Sequence, residues 1–451
     1  MTLISSRPSV GGPRPWSFPS FERRTIAGGA VLTCHVPGRP LGVTSLIIDA
    51  GASAEPTGRE GVAELVARAL SEGTAHRDAY RFAVAGERLG ATWRASSDWD
   101  SLRCGFEVPV GELVAATELL AEAVREAAFD DETLTRVRDE RIDEVSFDMS
   151  QPGARAGEAF AAEVFADTSR YHRSDGGDIA SLEAISHDDI RTYRAQRVGP
   201  SAATLVVVGD LEKVDVDALG RTIFDGWADN GERRSEPDVT PRGPGRRVVV
   251  VDRPGSVQSM LLVGHDGPPR KIDDYVAMTT MSLVLGGMFS SRLNLKIREE
   301  KGYAYGAHSG FDTRKDGGVF VARAAVQSEV TIPALADLVA EIERMQSGGV
   351  EPDELEQARA YRAGVFPINF AGVTSVAAGL GDLVVNDFAD DHFDRLRADV
   401  LKVRKDELDA AAATRLRPDD LVTVIVGDAS GFADDLRGAG LGPVEVIPDE
   451  G

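Results

Sequence analysis

The chain has 451 residues, with 73 acidic against 50 basic side chains and a net charge of −23. That length exceeds one ordinary core, so two or more domains are expected. The acidic balance excludes a phosphate-binding surface and so a nucleic-acid partner, and no run of about 18 apolar residues offers a membrane span.

Residues 1–19 are rich in Ser, Gly and Pro without an apolar core, so no secretory signal is expected. Pro37-Gly38 then precedes an apolar strand over residues 45–49. A helix follows over residues 60–73, where Val62, Leu65, Val66, Ala69 and Leu70 recur as one apolar stripe. Glu64, Ala67, Arg68 and Ser71 fall on the opposite face. Residues 93–108 read as a strand. Residues 111–144 read as a long helical pattern, with apolar positions from Leu113 through Leu119, Leu120 and Val124 to Leu134. Thr-Leu-Val-Val-Val-Gly-Asp, ending at Asp210, is a buried strand closed by a Gly-Asp turn. Residues 230–246, carrying Pro237, Pro241, Pro244 and several charges, read as a linker. Beyond it come Pro254-Gly255 before a strand over residues 259–263, a helix over 275–285, a strand over 318–322 and a helix over 332–345. Last is Thr-Val-Ile-Val-Gly-Asp, ending at Asp428.

The Gly-Asp strand ends and the Pro-Gly strand entries each recur after a little over 200 residues, which points to a duplicated unit. Non-parallel strands with segregated helices predict an α+β fold. It would comprise two tandem homologous domains, each a mostly antiparallel sheet with helices packed on one face. They would cover residues 20–230 and 247–451, with 231–246 as the linker. Cys34 and Cys104 lack motif spacing and fit a reducing cytoplasm. His35, His76, His172, His187, His265, His308 and His392 are scattered, with no pair at metal-ligand spacing; each is expected on the surface or at a cap.

Residues 61–74, Gly-Val-Ala-Glu-Leu-Val-Ala-Arg-Ala-Leu-Ser-Glu-Gly-Thr, closely resemble the helix carrying the inverted zinc motif H-x-x-E-H of the pitrilysin/insulinase metallopeptidases and their processing-peptidase-like members. In that frame Glu64 replaces the first His, Ala67 the general-base Glu and Arg68 the second His. A zinc peptidase needs neutral nitrogen ligands, a base and an open position for water. Arg68 is permanently cationic and cannot ligate. The resemblance implies a third ligand, a Glu on a following helix, and residues 140–152 align it with Glu144. Arg68, in the vacated position, is expected to pair with Glu144 and Glu64, a guanidinium supplying the charge of the metal.

Residues 286–306 contain Ser-Ser-Arg-Leu-Asn-Leu-Lys-Ile-Arg-Glu-Glu-Lys-Gly-Tyr-Ala-Tyr, very similar to the block holding the family's paired Arg and Tyr, here Arg298 and Tyr305. By themselves these read as a helix-surface cation and a strand aromatic; the resemblance gives them a role as donors that hold a substrate carbonyl and its developing oxyanion. Family members form clamshells of four such domains around a peptide chamber, from one long chain or two half-length chains. The resemblance therefore implies a zinc-less subunit with no cofactor of its own. Its expected partners are a homologous zinc-bearing H-x-x-E-H subunit and an unfolded peptide substrate, and its expected place is the cytoplasm. The alternative is a peptidase-like scaffold with a purely structural role.

Overall fold

The computed structural model describes residue 12 and residues 14–229 and 235–449. Its strands form two six-stranded sheets. The first contains β1 (Glu22–Ile26), β2 (Gly29–His35), β3 (Leu41–Ile48), β4 (Thr92–Ser97), β5 (Leu102–Pro109) and β6 (Ala203–Gly209), in the order β1-β2-β6-β3-β5-β4. The second contains β7 (Arg247–Asp252), β8 (Gln258–Gly267), β9 (Ala307–Thr313), β10 (Gly318–Gln327), β11 (Val422–Gly427) and β12 (Val444–Pro448), in the order β12-β7-β11-β8-β10-β9. Five neighbouring strands have the same connectivity in both sheets. Within these five strands one pair is parallel (β2 with β6, β7 with β11) and the rest are antiparallel. Only the outermost strand differs: β1 enters antiparallel from the N-terminal side, whereas β12 adds parallel from the C-terminal side.

The sequence echoes meet in space. The Gly38 N–H donates to Asp210 Oδ2 at 2.8 Å, and the Gly255 N–H donates to Asp428 Oδ2 at 2.8 Å. Each Pro-Gly turn has its glycine at positive φ, +71° and +79°, which suits a residue without Cβ. The turn is thus tied to the aspartate ending the parallel neighbour strand, which gives both echoes one structural cause.

Strands β6 and β11 are buried on both faces, which is why they read as unbroken apolar runs. In the first sheet Leu205 and Val207 face the helices of their own half, among them Val62–Ala69 and Leu113–Glu126, while Val206 and Val208 face the other way. That second face is covered by helix Val373–Val385, which comes from the other half of the chain. The relation is reciprocal. Helix Pro152–Val164 lays Ala156, Ala159, Phe160 and Val164 on Val422, Val424 and Val426 of the second sheet. Each half therefore lends a helix to the other's sheet. The N-terminal segment adds to the clasp: Phe18 stacks on Phe393 at 4.8 Å, and its N–H donates to Asp394.

Several expected elements are corrected. Residues 93–108 are not one strand but the hairpin β4–β5, because Asp98 accepts from the N–H groups of Asp100 and Ser101 and closes a turn. The helical pattern over 111–144 is two helices, Leu113–Glu126 and Asp131–Met149, broken where Phe129 takes positive φ and Asp130 caps the next helix through Thr133 N–H. The helix expected over 60–73 is shorter, Val62–Ala69. Of the linker, residues 230–234 lie outside the described residues. The part beyond is docked, with Ala166 N–H donating to Thr240 O and Arg170 N–H to Asp238 O. Among the described residues no single helix is long and apolar enough to cross a membrane.

Candidate functional site

The helix of the altered zinc motif starts at Gly61, whose φ of +100° requires glycine. A Cβ there would also lie 2.8 Å from Leu182 Cδ2 and 2.9 Å from Gly176 O. The unpaired N–H groups of its first turn are met by the buried Glu55 carboxylate, which accepts from Gly61 N–H at 3.1 Å and Ala63 N–H at 2.8 Å. Arg170 Nη2 donates to the same carboxylate at 2.5 Å. Burial pushes the Glu55 carboxyl up to about 7, against the opposing pull of Arg170 and those N–H groups.

From this helix Arg68 reaches two carboxylates. Its Nε donates to Glu64 Oε1 at 2.7 Å, and Nη1 and Nη2 donate to Glu144 Oε1 and Oε2 at 2.9 and 2.7 Å, a two-pronged contact. Arg141, one turn before Glu144, donates to it at 3.3 Å, and the Ser97 N–H of β4 donates to the free oxygen of Glu64 at 3.0 Å. The hydrogen bond to Glu144 is foremost in holding the Arg68 guanidinium above its ordinary range; Arg68 in turn holds the Glu144 carboxyl below its own. Ala67 does not stand on an open polar face, as its helical position suggested. It is fully buried, because the helix is enclosed on most of its circumference: only its Glu64 and Arg68, and Ser71 and Glu72 just beyond its end, stay partly accessible. Beside it, a groove of about 520 Å³ runs between this helix and edge strand β4, with Glu72 and Glu140 on its rim, both bonded to Arg136.

The guanidinium lies between the two carboxylates that could face a metal, and it offers only donors. Among the described residues no group of three or more His, Cys, Asp and Glu side chains is placed to hold a metal ion. His265 corrects the expectation of surface histidines: it is buried beside Phe320, its imidazole bonded to the Arg417 N–H, and burial lowers its pKa to about 4.

Arg298 and Tyr305 are carried by the second half. They follow a turn between two widened, π-helical stretches, Leu283–Gly287 and Leu295–Glu300, a departure from α-geometry that recurs at functional sites. The block is anchored by Arg292, whose buried guanidinium donates to both oxygens of Glu354 at 2.7 and 2.6 Å and to Gly349 O at 2.9 Å. Arg298 lies over the face of Phe289, 4.6 Å from the ring centroid, with Glu299 at 3.4 Å. Tyr305 is 98% exposed and Phe289 68%. Neither Arg298 nor Tyr305 is sunk in packed interior. Thus the structure joins Glu64, Arg68 and Glu144 in one cluster. Among the described residues no hydrogen bond or ion pair links that cluster to Arg298 or Tyr305. Sequence reasoning missed Glu55, Arg170 and Phe289. Glu55 lies only six residues before Gly61 but in no cap spacing, Arg170 is 115 positions from the carboxylate it holds, and an aromatic beneath an arginine has no spacing signal, although Arg141 could have been found one turn from Glu144.

Residues 30–169 match the family described as insulinase (peptidase family M16), and residues 184–361 match the peptidase M16 inactive domain. The chain is 26% identical over 307 residues to an uncharacterized zinc protease of Mycobacterium leprae, covering 67% of this chain and 68% of that one. It is 24% identical over 378 residues to the zinc protease PqqE of Helicobacter pylori, covering 82% and 84%. Among solved structures, it superposes on the peptidase M16 inactive domain from Pseudomonas fluorescens with a TM-score of 0.84 at 23% identity, covering 90% of this chain and 98% of that one. A chain of complex III2 from Candida albicans gives 0.78 at 14% identity, covering 94% and 99%.

Proposed function

Because this chain belongs to the peptidase family M16 and lacks its H-x-x-E-H motif, we propose that it is the non-catalytic subunit of a two-chain metallopeptidase. In this reading it lends Arg298 and Tyr305 to the reaction centre of a homologous, zinc-bearing partner. The observation that carries it is a contrast between the halves: a guanidinium neutralises the altered motif, while Tyr305 stands free in solvent and Arg298 rests on an aromatic face beside it in sequence. A subunit with no chemistry of its own has reason to keep such donors outward only if another chain receives them.

The partner supplies the metal and the attacking water. What this chain does is positional and electrostatic. When the two chains close on an unfolded peptide, the guanidinium of Arg298 and the phenol of Tyr305 donate to the carbonyl oxygen under attack. The charge grows on that oxygen, so both hydrogen bonds strengthen from ground state to transition state, and that difference lowers the barrier. Closure also excludes water, which raises the worth of each donor over its value on an open surface.

Co-expression with an H-x-x-E-H sister chain, followed by peptide cleavage, tests this directly. The pair should cleave where neither chain does alone. Arg298→Ala or Tyr305→Phe in this chain should lower kcat by about 10²–10³, with the complex still forming. Unchanged turnover in the double variant refutes the assignment. Likeness to a chain of complex III2 supports a second reading, a peptidase-like scaffold, for which no partner restores cleavage.

A further inference from the structure

We propose that Asn294 is a positioning residue for the Arg298/Tyr305 pair, one amide that holds the backbone on both sides of it. The inference rests on the reading above, in which that pair serves a partner's reaction centre.

Asn294 is 2% exposed, an uncharged polar side chain shut into the second half. Its Nδ2 donates to the carbonyl of Phe289 at 2.7 Å, and its Oδ1 accepts from the N–H of Ala307 at 3.4 Å. Those two partners are not arbitrary. Phe289 stands in the turn between the two π-helical stretches, and its ring lies beneath the Arg298 guanidinium. Ala307 is the first residue of β9, two positions after Tyr305. One side chain therefore spans from the loop that supports the guanidinium to the strand entry that aims the phenol. Gly306 keeps that passage narrow: a Cβ there would stand 3.2 Å from His308 Nε2 and 3.5 Å from Asn294 Oδ1.

The physical need is plain. Phe289 and Tyr305 are largely in solvent, and a long arginine on an open surface samples many rotamers. A donor that must meet a developing oxyanion has to be ordered beforehand, or the cost of ordering is charged to the barrier. The ring of Phe289 offers Arg298 a face to rest on, but a ring in a turn is only as fixed as the turn. The buried amide of Asn294 fixes it, and through Ala307 it keeps the start of β9 in the same register. Asn294 touches no substrate in this account; it acts through Phe289, Arg298 and Tyr305.

The test uses the full chain, first alone and then paired. In protein labelled with ¹⁵N-arginine, the Arg298 Nε–H signal, assigned by its loss in Arg298→Ala, should carry a ring-current shift from Phe289. Phe289→Leu, an exposed change that leaves the core intact, should abolish that shift, and Phe289→Trp should retain it. Asn294→Leu, or Asn294→Ser should the leucine variant not fold, should also abolish it. A signal that moves in Phe289→Leu yet stays in place in the folded Asn294 variant overturns the proposal. In the reconstituted pair, the Asn294 variant should lower kcat by about 10- to 100-fold with little change in KM. It should add no further loss once Arg298→Ala and Tyr305→Phe are present. An equal loss in both backgrounds overturns the proposal and assigns Asn294 to general stability. If the double variant alone leaves cleavage unchanged, it is the proposed function that fails, and the resonance of Arg298 still decides the role of Asn294.

Discussion

Arg68 illustrates how one side chain can bring two carboxylates together without offering either a ligand position. It pairs with Glu64 and Glu144 through three hydrogen bonds, yet presents no lone pair to a substrate or a water. Arg68→Ala should leave the half-buried Glu64 and the exposed Glu144 without their common partner and lower stability by about 1 kcal/mol, read as a fall in the urea midpoint. The pH dependence follows from the direction of the Glu144 shift. Its folded pKa lies below the unfolded value, so the folded state releases the proton more readily and stability is gained above the unfolded pKa. That contribution is present at neutral pH and lost as pH falls through the folded pKa. Glu144→Gln should therefore lower stability at pH 7 and flatten the acid limb of the stability profile, measured by denaturant melts from pH 7 to pH 3. An acid limb as steep as that of the unaltered protein would show that the pair contributes nothing.

At the scale of elements, the exchange of helices between halves decides what holds the sheets. Leu380 is buried in helix Val373–Val385 against the first sheet, more than 160 positions beyond the strands it covers. Leu380→Ala should cost about 2–5 kcal/mol. Hydrogen exchange should locate the loss in β3 and β6 of the first half as well as in the helix itself. Protection lost only near residue 380 would mean that the exchanged helix is peripheral. The same elements show how far periodicity carries. The stripe through Val62, Leu65, Val66 and Ala69 marked a true helix, since an amphipathic repeat reports one buried face. It could not set the ends, which depend on Glu55 and on the positive φ of Gly61. Across residues 111–144 the apolar spacing did not show the break, because Val124 before it and Leu134 after it are buried in the same core.

For the whole molecule, the duplicated topology and the exchanged helices together make the halves interdependent. A fragment ending at residue 246 retains all six strands of the first sheet but lacks the cover over Leu32, Val43, Ile47, Val206 and Val208. Such a bare apolar face is expected to drive aggregation. Expressed alone, that fragment should be insoluble or bind a hydrophobic dye, and co-expression with residues 247–451 should rescue it. A soluble, cooperatively melting fragment would refute the interdependence. By metal analysis the purified chain should hold no stoichiometric zinc, and its complex with an H-x-x-E-H sister should hold one ion per pair.

Much was legible in the residues alone. The Gly-Asp and Pro-Gly echoes marked the repeat and the apolar runs marked the central strands, because each is a local property of side-chain chemistry or spacing. The tertiary structure alone decided which sheet a helix covers, that Ala67 faces the core, and that Phe289 lies under Arg298 with Asn294 bracing the turn. Those outcomes depend on contacts between remote or unpatterned positions, where many pairings share the same local propensities and only close packing selects one.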